Sequence, residues 1–151
     1  MAQKIYAMRG DPQTGFPIIG ENSQQFSVAD PVTAQADGFL DIAAAAEKIL
    51  GWSVDSRTMA ATNQTVAKAK PLYLPAEGIL AQITGDIAVT QTVMDSYSDF
   101  STATTGAYVV DVTNATSSTA QVHILGSPDP DSLSTDVIVE VAEPQTIGYV
   151  S

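Results

Sequence analysis

Residues Ala43 to Asp55 read AAAAEKILGWSVD, and this stretch decides the fold class. Leu50, Trp52 and Val54 sit two apart, the spacing that points side chains to one face of a β-strand. Gly51 between them has no side chain, which suits a bulge or the close approach of another backbone. The small residues ahead of it, Ala43 to Lys48, have helix propensity. Six residues are few for a helix, however, and strand-like segments flank them, so a turn is the preferred reading. A second Ile-Leu-Gly comes much later, in Val122-His123-Ile124-Leu125-Gly126 ahead of an acidic turn. Two strands with Ile-Leu cores and glycine exits predict two walls of one small β-barrel or β-sandwich.

Working outward, short strands and turn signals alternate. Phe26 and Val28 alternate before Asp30-Pro31, a turn because proline pushes the residue before it into an extended conformation. Val32 and Ala34 lead to Asp37-Gly38, a strong tight-turn dipeptide, and Phe39, Leu40 and Ile42 follow it. Arg57 to Val66 reads as a polar connection. Lys68 to Leu74 is extended, and Pro71 inside it favours a sheet edge. Ile79, Ala81 and Ile83 alternate up to Gly85-Asp86, and Ile87 and Val89 are expected to continue as strand. Asp95 to Thr105 reads as a polar loop with two aromatics. Ala107 to Val112, Gln121 to Leu125 and Val137 to Val141 are further strands, and the Pro144–Ser151 tail is expected to pack. Strands of this length with turns between them predict an all-β barrel or sandwich, residues 26–151, as a single domain. Residues 1–25 are punctuated by Gly10, Pro12, Gly15, Pro17 and Gly20 and predict an irregular, extended arm. Its apolar residues imply that it packs, either on its own barrel or on a neighbour.

The 151 residues suffice for a real core. With no cysteine, disulfides, thiolate metal sites and cysteine nucleophiles are excluded together. The first residues lack a signal-peptide apolar run and no segment reaches membrane-spanning length, which predicts use without Sec-type export and no membrane partner. The formal net charge is -11, from 6 Lys and Arg against 17 Asp and Glu. All six cations (Lys4, Arg9, Lys48, Arg57, Lys68, Lys70) precede Pro71, and ten acidic residues but no cation follow it. Nucleic-acid binding by the second half is thereby argued against, since phosphate contacts need clustered cations.

Chemistry-bearing motifs are few. His123 is the one histidine. It lies in a strand with no Gly-x-Ser-x-Gly elbow to build around it, and one nitrogen ligand does not make a zinc site. It reads as structural or surface. The carboxylate pairs Asp95/Asp99 and Asp129/Asp131 could serve a glycosidase or hold Ca²⁺, but ordinary turn chemistry explains them more simply. Asn63-Gln-Thr65 and Asn114-Ala-Thr116 match the glycosylation sequon by chance in a Thr-rich chain. The reading contains no catalytic, metal or cofactor residue.

The order of parts carries a resemblance. Asp37-Gly38-Phe39-Leu40 with Ala43 to Asp55, then Ala61 to Ala67, Leu72 to Gly78, Thr105 to Val112, and Val122 to Asp131 leading into Val137 to Val141, together resemble small tailed-bacteriophage head decoration (capsid cement) proteins. The resemblance spans about residues 36 to 143. It implies a non-enzymatic β-barrel or sandwich, a homotrimer bound to the major capsid protein on the outer surface of the virion, reinforcing the expanded head. It further implies that the arm reaches the capsid or a neighbouring subunit, through Lys4, Ile5, Tyr6, Met8, Arg9, Phe16, Ile18 and Ile19. A second reading, from another class, is a carbohydrate- or receptor-binding β-module of a phage fibre or appendage. Tyr97 and Phe100, or an exposed Trp52, would then be its stacking platforms.

Overall fold

The computed structural model describes residues 3–7, 14–117 and 120–142. Met8, Arg9 and the 144–151 tail lie outside these residues. The protein is all-β, as expected. Its strands are β1 (Lys4–Ala7), β2 (Gln25–Phe26), β3 (Pro31–Ala34), β4 (Leu40–Ile42), β5 (Gly51–Ser53), β6 (Arg57–Thr58) and β7 (Tyr73–Pro75). They continue with β8 (Ile79–Gly85), β9 (Tyr97–Ser98), β10 (Phe100–Thr102), β11 (Val109–Val110), β12 (Val122–Gly126) and β13 (Asp136–Val141).

The longest strand, β8, organises the larger sheet. Its alternation buries Ile79, Ala81 and Ile83. One edge pairs antiparallel with β13, Val137 opposite Ile83 and Val139 opposite Ala81. The other edge takes β1 antiparallel over Ile79 to Gln82 and then β11 in parallel at Thr84 and Gly85. The path runs β10-β11-β8-β13-β12-β9. Its two terminal strands are joined by Asp99 alone, so the sheet curls round into a nearly closed barrel. Inside lie Val110, Val122, Ile124, Val137 and Val139, all fully buried. Each such side chain contributes about 1.5–3 kcal/mol by leaving water.

The second sheet, β4-β3-β5-β7, is antiparallel. β3 and β4 form the hairpin foreseen at Asp37-Gly38. Gly38 takes φ +89, a conformation glycine adopts at no steric cost, and the Asp37 carboxylate accepts the Phe39 N–H. β7 is the edge strand expected of the Pro71 region. Residues 15–21 cover both edges of this sheet. Gly15 N–H donates to Tyr73 O and Gly20 N–H to Ala69 O, while Leu40 N–H donates to Ile19 O and Glu21 N–H to Leu40 O. The lead-in segment is thus a stave that closes the sheet around a second core of Phe26, Val32, Leu40, Met59 and Tyr73, which removes edges that could pair with other chains.

Between the two cores lies β5, and here the expected single face gives way. Trp52 is fully buried in the main core and Val54 packs against it, whereas half-buried Leu50 packs on the second core. Both faces of the strand are covered, so every residue of β5 is buried. Among the described residues the Trp52 indole N–H has no hydrogen-bond acceptor. Gly51 meets the expectation of close backbone approach: a Cβ there would lie 2.1 Å from Leu74 O. Ile124→Ala is expected to cost about 2–5 kcal/mol. Leu50→Ala should cost less, roughly 1–2 kcal/mol, because its side chain starts half-exposed. Denaturation midpoints at constant slope measure both, and equal losses would show that Leu50 seals the two cores together.

Three other expectations are corrected. The strand does not continue over Ile87 and Val89: Gly85 N–H turns to Thr135 O, the chain makes a 3-10 turn at Gln91–Val93, and Ile87 is exposed. The Asp95 to Thr105 stretch is β9 and β10, with Phe100 in the core, because long-range pairing to β12 and β11 overrides its polar composition. Val28 is exposed, since Ala29 takes a left-handed φ of +67 and ends the alternation from Phe26.

Candidate functional site

The residues expected to form one interface are divided by the fold. Lys4 and Tyr6 lie on β1, inside the main sheet. Lys4 is exposed and the Tyr6 hydroxyl lies 2.7 Å from Gln82 Oε1, while Ile5 packs half-buried on the main core. Ile18 packs on the second core, and Ile19 gives its carbonyl to Leu40. Phe16 projects outward from the stave, 88 % exposed.

Phe16 has company that the one-dimensional reading missed. The stave runs antiparallel to residues 69–73, which brings Phe16 opposite Leu72, itself 51 % exposed. Around them the chain gathers cations. Arg57 donates to Lys70 O and pairs with Asp55, whose carboxylate also accepts the Leu72 N–H. Lys70 Nζ donates to Lys68 O. The backbone here is shaped by Asn63, fully buried at the start of a single π-helical turn (Asn63–Ala67) that exposes Val66. Its amide nitrogen donates to Gly20 O and Ala69 O, and its oxygen accepts the Ala69 N–H. With that side chain buried and satisfied, the Asn63 sequon is closed to glycosylation in the folded protein. Lys68, Lys70 and Leu72 are exposed at alternate positions, with Phe16 opposite Leu72 and Arg57 bound to Lys70 O, and together they form an apolar and cationic strip leading into β7. The strands after Pro71 bring no Lys or Arg to the main barrel.

The two units are tied together by a buried polar knot. Asp30, fully buried, receives the Ser27 and Gly106 backbone N–H groups, the Thr105 hydroxyl and the Gln3 amide. Gln3 in turn gives its oxygen to the Tyr108 N–H. The buried Tyr108 hydroxyl donates to Ala43 O. Burial first, then the nearby charges of Asp30, Asp41 and Glu47, hold its phenol well above the usual range. Gln121 works similarly, donating to Ala44 O and Glu47 O and accepting the Phe100 N–H. Neither Asp30 nor Gln121 was distinguishable in the chain, the first reading as a turn residue before proline. The only local signal was a glutamine beside the apolar run of a strand.

Of the two carboxylate pairs, Asp95, Asp99 and Asp129 each have a structural partner. Asp95 contacts His123, and Asp99 accepts the Gln121 N–H. Asp129 and Asp131 are exposed, and Asp129 accepts the Asp131 N–H in a local turn. Among the described residues no three His, Cys, Asp or Glu side chains converge as metal ligands. Glu21, Asp37, Asp41 and Glu47 gather at one end of the smaller sheet. Burial, and then mutual repulsion, raises the carboxyls of Glu21 and Asp41. Trp52 and Phe100 are buried and cannot act as stacking platforms, and the Tyr97 ring is stacked on His123.

No protein-family model, curated protein or solved structure matches the chain.

Proposed function

We propose that this chain is a non-enzymatic head decoration subunit that binds the outside of an expanded phage capsid and stabilises it, as a homotrimer on the major capsid protein. The supporting observation is the segregation of its surface. Three of its six cations, Arg57, Lys68 and Lys70, join exposed Phe16 and Leu72 beside the smaller sheet, whereas no Lys or Arg follows Pro71. A cement subunit needs one face that docks, with apolar anchors and charge to steer it, and another that stays soluble. Lys4 and Tyr6 on β1 are a further part of that contact in this reading.

Co-sedimentation of the intact protein with expanded, undecorated heads tests the proposal. Saturable binding near one copy per major capsid subunit, with raised heat resistance of the particles, is expected. Phe16→Glu combined with Lys68→Glu should weaken binding about tenfold or more, the loss of roughly 1.4 kcal/mol or greater. Both side chains are exposed, so the fold should be unchanged. Absence of binding by folded wild-type protein would overturn the proposal and favour the glycan- or receptor-binding module. For that module, a glycan-array signal lost on Tyr97→Ala is the corresponding result.

A further inference from the structure

β9 ends the sheet path and meets β12 over two residue pairs only, Ser98 with Val122 and Tyr97 with His123. This is the seam of the barrel. The His123 ring lies on the Tyr97 ring, centroids 4.5 Å apart and planes 13° from parallel. Its Nε2 is 2.7 Å from Asp95 Oδ1 and its Nδ1 is 3.0 Å from Glu140 Oε1. Carboxylates accept hydrogen bonds, and a neutral imidazole has a single N–H to donate. A neutral ring would leave one nitrogen lone pair facing a carboxylate oxygen. Only the imidazolium satisfies both contacts at once.

We propose that Asp95, His123 and Glu140 form a pH-sensitive clip on the barrel seam, closed by the imidazolium and released when the ring loses its proton. The groups that face His123 are Asp95 from the turn before β9, Tyr97 from β9 and Glu140 from β13. No Lys or Arg follows Pro71 to compete for those carboxylates. The Asp95 side chain is 90 % exposed against 36 % for Glu140, so Asp95 is the arm that lets go. Asp95 also sits at φ +67 and donates its backbone N–H to Ile124 O, while Ile124 N–H donates to Ser96 O. The side-chain clip therefore bears on the same backbone pair that fastens the seam.

The sign is fixed by the geometry. Burial pushes the His123 pKa down, but the hydrogen bonds to Glu140 and Asp95 and their charges outweigh it, so the ring titrates above its ordinary value. The stabilisation is complete below about 6.5, the ordinary histidine value, and is lost as pH rises through the folded value. This inference does not depend on the proposed function.

The sole histidine gives one ring signal, so nitrogen NMR of the intact protein reads it directly. Both ring nitrogens are expected to carry protons below about pH 6.5, the ordinary histidine value, and one is expected to lose its proton as pH rises through the raised folded value. Amide-exchange protection at Asp95 and Ile124 should fall through the same titration, about tenfold for each unit by which its midpoint exceeds that of His123 in the Asp95→Asn variant. Protection at Ala81 and Val139, in β8 and β13, should stay constant. Asp95→Asn should lower the midpoint and flatten the seam dependence, and its exposed position leaves the fold intact should His123→Gln fail to fold. A ring that loses its proton below the ordinary histidine value of about 6.5, or seam protection that ignores the titration, would overturn the proposal.

Discussion

Asp30→Ala is expected to destabilise the protein by about 2–4 kcal/mol, a large loss for one substitution. The loss comes from donors, not from volume. The Ser27 and Gly106 N–H groups both point at the fully buried Asp30 carboxylate from half-buried and exposed residues, so each donor left without its partner costs toward the lower end of about 1–3 kcal/mol. Gln3 would keep Val28 O and the Thr105 hydroxyl would keep the Ser27 hydroxyl, which sets the upper bound. Asp30→Asn should fall between, because its amide group replaces an acceptor with donors facing donors. Urea denaturation with an unchanged slope is the measurement. A loss below about 1 kcal/mol would mean that water had taken the place of the carboxylate. The knot joins the N-terminal residues, the link between β2 and β3, and the link between β10 and β11. Its rupture is therefore expected to loosen the docking of the smaller sheet on the barrel as well.

Gly51→Ala is the second large effect, and it separates two phrases that look alike in the chain. A Cβ on Gly51 would lie 2.1 Å from Leu74 O and 2.9 Å from Leu74 C, both backbone atoms in the paired strand β7. No rotamer change relieves that contact. The β5–β7 pairing must shift, and with it Trp52, the largest side chain in the core. A cost of roughly 3 kcal/mol or more follows, at or beyond the top of the usual overpacking range. Gly126, which ends the other Ile-Leu-Gly, has no atom of the described residues beyond its chain neighbours within 4 Å of its ideal Cβ. Gly126→Ala should stay within about 0.5 kcal/mol of wild type. Thermal and urea unfolding of the two variants side by side measure the contrast, and equal effects would show that the approach of β7 to β5 is not as close as described.

That contrast marks how far the chain could be read. Alternation at Ile79, Ala81 and Ile83 and at Val137 to Val141 identified strands that the fold keeps, because period-two burial is a local property of the pleat. Asp37-Gly38 announced its hairpin for a similar reason, the left-handed backbone that glycine supplies. The tyrosine and phenylalanine of Asp95 to Thr105 were legible as aromatics but not as strands. Their partners, β12 and β11, lie elsewhere in the chain and no local pattern points to them. The apolar residues of the lead-in could be seen to need burial, yet whether they covered their own sheet or another chain was open. Residues 15–21 cover both edges of their own sheet, leaving Phe16 outside beside Leu72.

By itself, then, the sequence determined the β class, the tight turn, the glycine that admits a neighbouring backbone, and the one-sided placement of charge. These follow from neighbours in the chain and from composition. Only the tertiary structure decided that Leu50 and Trp52 serve different cores and that Asp30 is a buried hub rather than a turn residue. It alone set His123 between two carboxylates. Each of these depends on groups brought together from distant positions, and their physical character resides in that approach.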